Sequence, residues 1–137
     1  MNRAQLPAAE FGFPGELRDR LVAAILEGEK TSTTGLYAEY EEEGATPGAP
    51  GARRLVLDSD GRAVAVIEIT ESRVVPVREI DLQFALDEGE GFRSVADWRA
   101  AHERFWGSYR EDSIDDETLV VAQRFRVVER LDPPLKT

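Results

Sequence analysis

Two short segments carry side chains that can do chemistry. The first is Lys30-Thr31-Ser32-Thr33-Thr34, a polar run rich in hydroxyls. The second is Glu88-Gly89-Glu90-Gly91, in which each carboxylate is followed by a glycine. A hydroxyl, an amine and a carboxylate suffice for acyl transfer. Thr33 supplies a hydroxyl nucleophile, inert until a base takes its proton. A lysine amine serves as that base only when burial lowers its proton affinity, and a nearby carboxylate does the opposite. A tight ion pair between Glu88 and Lys30 is therefore incompatible with a neutral Lys30. Either Glu88 contacts substrate, or Lys30 stays charged and steadies a developing oxyanion.

Each of these residues also has a plainer explanation. Lys30 can be a solvated lysine favoured by the dipole of a helix that ends just before it. Thr31, Ser32 and Thr34 suit a turn or the entry to a strand. Glu88 and Glu90 suit an exposed acidic turn; of the two, Glu88 is the functional candidate and Glu90 is not. His102 shares an apolar helical face with Trp98 and Phe105, which favours a packing role over catalysis.

The composition limits the partners. The 137 residues fit one domain, and 42% of them are apolar, enough for a core. No run is apolar enough to cross a bilayer, and the first ten residues lack the apolar stretch of a secretory signal. A cytoplasmic protein that does not engage membranes is expected. Cysteine is absent, so disulfides and thiolate chemistry are excluded, and with one histidine no protein-built zinc site or other cofactor is expected. The net charge of −10 argues against coating duplex DNA, whose affinity comes from phosphate neutralisation. It favours a small ligand or a short single strand.

The elements that must position these residues follow from periodicity. Leu17, Leu21, Ala24 and Ile25 recur at helical spacing, with Pro14 near the start and Gly28 as a stop, which predicts a helix over 15–27. Residues 41–53 are acidic and punctuated by Gly44, Pro47, Gly48 and Pro50, and read as a loop. Residues 53–58 and 63–70 form a hairpin about Asp60-Gly61, with 74–77 as further β structure. A short helix over 79–87 precedes a second one that starts at Ser94, with Asp97 placed as in a capping box. Residues 118–130 close the chain as a long strand. The predicted organisation is a leader over 1–12, a domain over 13–130 and a tail over 131–137. The predicted class is α+β: a small, mostly antiparallel, barrel-like sheet with flanking helices.

Gly28-Glu29-Lys30-Thr31-Ser32-Thr33, placed just after the first helix, resembles the G-x-K-x-x-T signature of ASCH domains. Glu88-Gly89-Glu90-Gly91 followed by Trp98-Arg99 and His102 resembles a segment of one bacterial branch of that family, as does Arg124-Phe125-Arg126-Val127-Val128. The resemblance spans Phe11 to about Val128. It departs at Ala52, Phe92 and Ala122-Gln123, where that branch commonly carries Asp, an acidic residue and Cys-Glu. The resemblance implies a PUA-like barrel whose cleft faces RNA or an RNA-derived nucleoside. Some relatives are similar to ribonucleases acting on single-stranded RNA; others deacylate N4-acetylcytidine with the motif lysine, the motif threonine and a downstream glutamate. Carried onto this chain, those three are Lys30, Thr33 and Glu88.

Single-stranded RNA binding with ribonuclease-like cleavage is the first expectation, deacylation of an N4-acylated cytidine the second, and a non-catalytic RNA or nucleotide reader the third. Ser32, Thr34, Tyr37, Arg53 and Arg54 are the expected substrate contacts. Tyr37 and Tyr40 can stack on unpaired bases, and Arg53 and Arg54 can follow a phosphate backbone. A nuclease should show a continuous positive channel through Lys30, Arg53 and Arg54; a nucleoside hydrolase should show a closed pocket about Lys30, Thr33 and Glu88.

Overall fold

A computed structural model describes residues 2–137. The first helix, α1 (Glu16–Leu26), turns Leu21, Val22, Ala24 and Ile25 inward, as the spacing requires. It stops where Gly28 adopts φ +80°, which lets the Glu29 N–H reach back to the Ala24 carbonyl at 2.9 Å. That closure delivers Lys30 directly from the helix end to the next strand.

The sheet has five strands in the order β1-β3-β4-β5-β2. They are β1 (Ala8–Ala9), β2 (Ser32–Leu36), β3 (Arg53–Leu57), β4 (Ala63–Pro76) and β5 (Leu119–Leu135). Only β1 runs parallel to its neighbour, β3; the other pairs are antiparallel. Register shifts within the long β4–β5 pair, at Ala63/Ala65, Val66/Ile67 and Ile69/Glu71, bend and twist it. The result is a curved sheet, barrel-like in outline but not closed, since β1 and β2 are both edges. The α+β class expected from the sequence is found.

Strand alternation divides the core. Val120 and Ala122 of β5 face α3 (Leu82–Asp87) and α4 (Val95–Gly107), where Phe84, Trp98 and Trp106 complete one cluster. Phe125 faces the other way, against Phe11 and α1. Ser94 caps α4 as expected, accepting the Asp97 N–H at 3.0 Å.

Three elements differ from expectation. Residues 37–43 form a helix, α2 (Tyr37–Glu43), instead of leading into a loop at 41; it buries no residue fully, so it leaves no apolar periodicity to read. Part of the expected leader is structural, because β1 pairs with β3 and Phe11 lies in the core. The last strand runs on to Leu135, and Leu131 packs with Leu55 and Val66. Among the described residues, no helix is long and apolar enough to cross a membrane.

Candidate functional site

Lys30 enters β2 from the end of α1, and Glu88 follows the last turn of α3. A backbone bond joins the two approaches, from the Thr31 N–H to the Asp87 carbonyl at 2.8 Å. Gly89 sits so close that a β-carbon there would lie 2.6 Å from the Glu29 carbonyl oxygen and 2.8 Å from the Lys30 Cα. Its φ of +69° also suits glycine. The glycine is needed for the two segments to touch.

Contact puts Lys30 and Glu88 in one buried network. The Lys30 side chain is 1% exposed, as is that of Glu88. Lys30 Nζ faces the Ser32 carbonyl at 2.9 Å, Glu88 Oε1 at 3.2 Å, the Glu88 carbonyl at 3.3 Å and Glu90 Oε2 at 3.5 Å. All four are acceptors, an arrangement that suits the three donors of an ammonium, which has no lone pair. Of the alternatives left by the sequence, the geometry is that of a charged Lys30.

Glu88 is saturated. Its Oε2 accepts from the Thr34 hydroxyl at 2.8 Å and from the Trp98 indole N–H, with His102 Nε2 at 3.5 Å. Burial opposes its charge and is the largest single influence. The Lys30 ammonium, His102 and the Trp98 N–H together overcome it and bring the carboxyl down to about 2. Glu88 thus borders the cleft as an enclosed carboxylate with both oxygens engaged, placed to orient its neighbours.

Glu90 has the opposite environment. Its side chain is 23% exposed and lines the cleft, with Lys30 as its ion-pair partner. Burial raises its proton affinity, Lys30 lowers it and the Glu88 charge raises it again; the balance is a carboxyl shifted upward. The family resemblance singles out Glu88 and not Glu90, and nothing local in the sequence distinguishes two carboxylates that each precede a glycine. Only the turn at Gly89 and Gly91 (φ +84°) decides which faces inward. His102 stacks on Trp98, with ring centroids 4.4 Å apart, and its Nδ1 lies 2.8 Å from the Trp98 carbonyl. Burial lowers its proton affinity, but the hydrogen bond and charge of Glu88 prevail and raise it. Oxygen acceptors at both ring nitrogens suit the protonated ring. Glu88, Glu90 and His102 offer ligand atoms within 4.8 Å of one another, a spacing compatible with a metal. The Lys30 ammonium between the two carboxylates argues against a cation there.

The cleft has a volume of about 1100 Å³ and runs between the sheet, the segment before α1, α2 and the end of α4. Thr33 lines it, but on the face of β2 opposite Ser32 and Thr34. Ser32 gives its hydroxyl to the Phe84 carbonyl, 2.9 Å away and out of reach of a ligand, and Thr34 gives its own to Glu88. Thr33 pairs across the strands with Gln123 and, among the described residues, makes no hydrogen bond to Lys30 or Glu88. Tyr40 and Arg54 line the cleft; Tyr37 and Arg53 do not, and Arg53 is paired with Glu68 at 3.3 Å. Of the six basic residues that line the cleft, Arg18, Lys30 and Arg110 are paired, with Glu10, Glu88 and Glu42, and six glutamates are interspersed along the same wall. Among the described residues, the cleft therefore forms neither a continuous positive channel nor a closed pocket.

Comparison with known proteins agrees with this fold. The family model for the ASCH domain matches residues 8–129. Protein EF3133 from Enterococcus faecalis V583, of the family DUF984, is similar with a TM-score of 0.79 and 26% identity over 90% of this chain and 77% of that one. An ASCH domain from Lactobacillus crispatus JV V101 gives 0.77 and 26% over 90% and 81%. The hypothetical protein PH0355, at 15% identity and a TM-score of 0.56 over 88% and 100%, shares the fold alone. No curated protein matches the chain. With its PUA-like fold and a family model matched over nearly its whole length, the chain belongs to the ASCH domain family, a family associated with RNA binding.

Proposed function

We propose that the cleft takes a nucleoside unit derived from RNA and hydrolyses an acyl amide on its base. The observation that carries this reading is the competition at Lys30. Four acceptors face an ammonium with three protons, and the most distant is Glu90, the one carboxylate of the group that is open to the cleft. A substrate carbonyl oxygen takes the place of Glu90 at Lys30, which then stabilises the oxyanion as it forms. Glu90, released and with a raised proton affinity, accepts the proton of the attacking water and returns it to the amino nitrogen of the base as the C–N bond breaks, which releases the carboxylic acid and the free nucleoside. Glu88, Thr34 and Trp98 hold the ammonium in place. The resemblance to deacylases of N4-acetylcytidine supports the substrate class, and the glutamates interspersed along the wall support a neutral ligand over a long phosphate chain.

A second reading, cleavage of single-stranded RNA, is favoured by size. The cleft, at about 1100 Å³, exceeds the roughly 300–1,000 Å³ of ordinary small-ligand pockets and has room for a flanking nucleotide. One experiment separates the two: wild type, Lys30→Ala, Thr33→Val and Glu90→Gln are each offered N4-acetylcytidine and labelled single-stranded RNA. Deacetylation by wild type, lost in Lys30→Ala and strongly reduced in Glu90→Gln, is the expected result. Cleavage of RNA without deacetylation favours the second reading. Turnover of neither substrate removes both.

A further inference from the structure

We propose that Arg54 and Tyr40 form an anion subsite that holds a phosphate ester of the nucleotide in the cleft. This rests on the nucleoside reading above and extends it from a nucleoside to its phosphorylated form.

Arg54 differs from the other basic residues of the cleft. Arg18, Lys30 and Arg110 each have a carboxylate partner. Among the described residues, none lies within 4.0 Å of the Arg54 guanidinium. Arg20 and Arg104 are also unpaired, but they are exposed, where water competes; Arg54 is half-buried. The guanidinium is nonetheless fixed. Its Nη1 donates to the Arg53 carbonyl at 2.9 Å. Gly48 covers it so closely that a β-carbon there would lie 2.7 Å from Nη2 and 2.6 Å from Ile69 Cδ1. Gly48 is itself held, since its carbonyl accepts from Gln123 Nε2 at 3.3 Å. A planar donor fork that is immobilised, half-desolvated and without an anion is suited to a phosphate oxygen pair.

Tyr40 supplies a further donor beside it. Its ring lies along β2, 3.6 Å from where a β-carbon on Gly35 would be. Burial raises the proton affinity of its hydroxyl more than the charge of Arg54 lowers it, so the group keeps its proton at neutral pH. Glu39 and Glu43 stand near Tyr40 and oppose an anion, although Glu39 is engaged by Tyr109 and Arg110. The subsite therefore suits one phosphate and not a run of them.

Calorimetric titration of the whole chain with cytidine, cytidine 5′-monophosphate, a cytidine dinucleotide and inorganic phosphate tests this. Wild type should bind the monophosphate roughly tenfold or more tightly than cytidine, the gain expected of a charge-assisted contact. In Arg54→Gln that ratio should fall to about one, and Arg54→Lys should restore only part of it. A dinucleotide that matches the monophosphate assigns a diester to the subsite; the monophosphate alone assigns a monoester. Equal affinity for cytidine and its monophosphate in wild type overturns the proposal, as does a preference that survives in Arg54→Gln. If cytidine does not bind, but inorganic phosphate binds wild type and not Arg54→Gln, the nucleoside reading falls and the subsite stands. Phosphate binding indifferent to Arg54 removes the subsite.

Discussion

Thr34 donates its hydroxyl to Oε2 of Glu88 at 2.8 Å across 54 residues of sequence, while its neighbour Thr33 faces the cleft. The two threonines therefore divide structure from chemistry. Thr34→Val leaves a buried carboxylate oxygen short of a donor and should cost about 1–3 kcal/mol of stability. Thr33→Val should change stability by less than about 0.5 kcal/mol but lower turnover. Urea denaturation of both variants measures the first effect; equal destabilisation by the two would contradict the assignment of faces.

Lys30 and Glu88 should behave as one unit. Lys30→Met strands the Glu88 charge in a dry setting and should destabilise by about 3–5 kcal/mol. Adding Glu88→Leu removes that stranded charge and should recover much of the loss, because an apolar pair of similar volume is tolerated where a single charge is not. A double-mutant cycle reads the coupling. Losses that simply add would show that the pair is not energetically linked.

The two carboxylates of the loop should titrate in opposite senses. Glu88 has its proton affinity depressed from 4.5 to about 2, so its contribution is present above pH 4.5 and is lost as pH falls towards 2. Glu90 is raised above 4.5, so its contribution is full below that value and is lost as pH rises through its folded value. Glu90→Gln should therefore stabilise the protein at pH 7 relative to its effect at pH 4. Thermal melts across that range decide the sign; a variant relatively more stable at pH 4 would refute it.

Gly89 should resist substitution. Gly89→Ala places a β-carbon against the Glu29 carbonyl and strains a left-handed residue, which should cost about 1–3 kcal/mol. The same change at Gly91, where a β-carbon meets open space, carries only the backbone strain and should cost less. Comparing the two variants by chemical denaturation isolates the contact between the loops.

The parts legible in the sequence were those with a local signature. Leu17, Leu21 and Ile25 marked α1, Asp60-Gly61 marked the hairpin, and Ser94 marked the start of α4. Lys30 and Glu88 were singled out by resemblance to a family, and nothing local joins them. The rest depended on long-range geometry. That Thr34 and not Thr33 reaches Glu88 is set by how β2 pairs with β5. Whether Glu88 or Glu90 is exposed is set by a turn that closes only against Glu29 and Lys30. The helix α2 buries no residue fully, so its acidic residues read as a loop.

The ion pairs of Lys30 and Arg110 have a consequence for how binding responds to solution conditions. A protein that neutralises many phosphates displaces the ions condensed around them, and its affinity falls steeply as salt is added. Here Lys30 and Arg110 already have fixed counter-charges within the fold, so a ligand entering beside them releases few ions. Affinity for the natural ligand should thus be nearly flat with ionic strength, apart from a single-phosphate slope through Arg54.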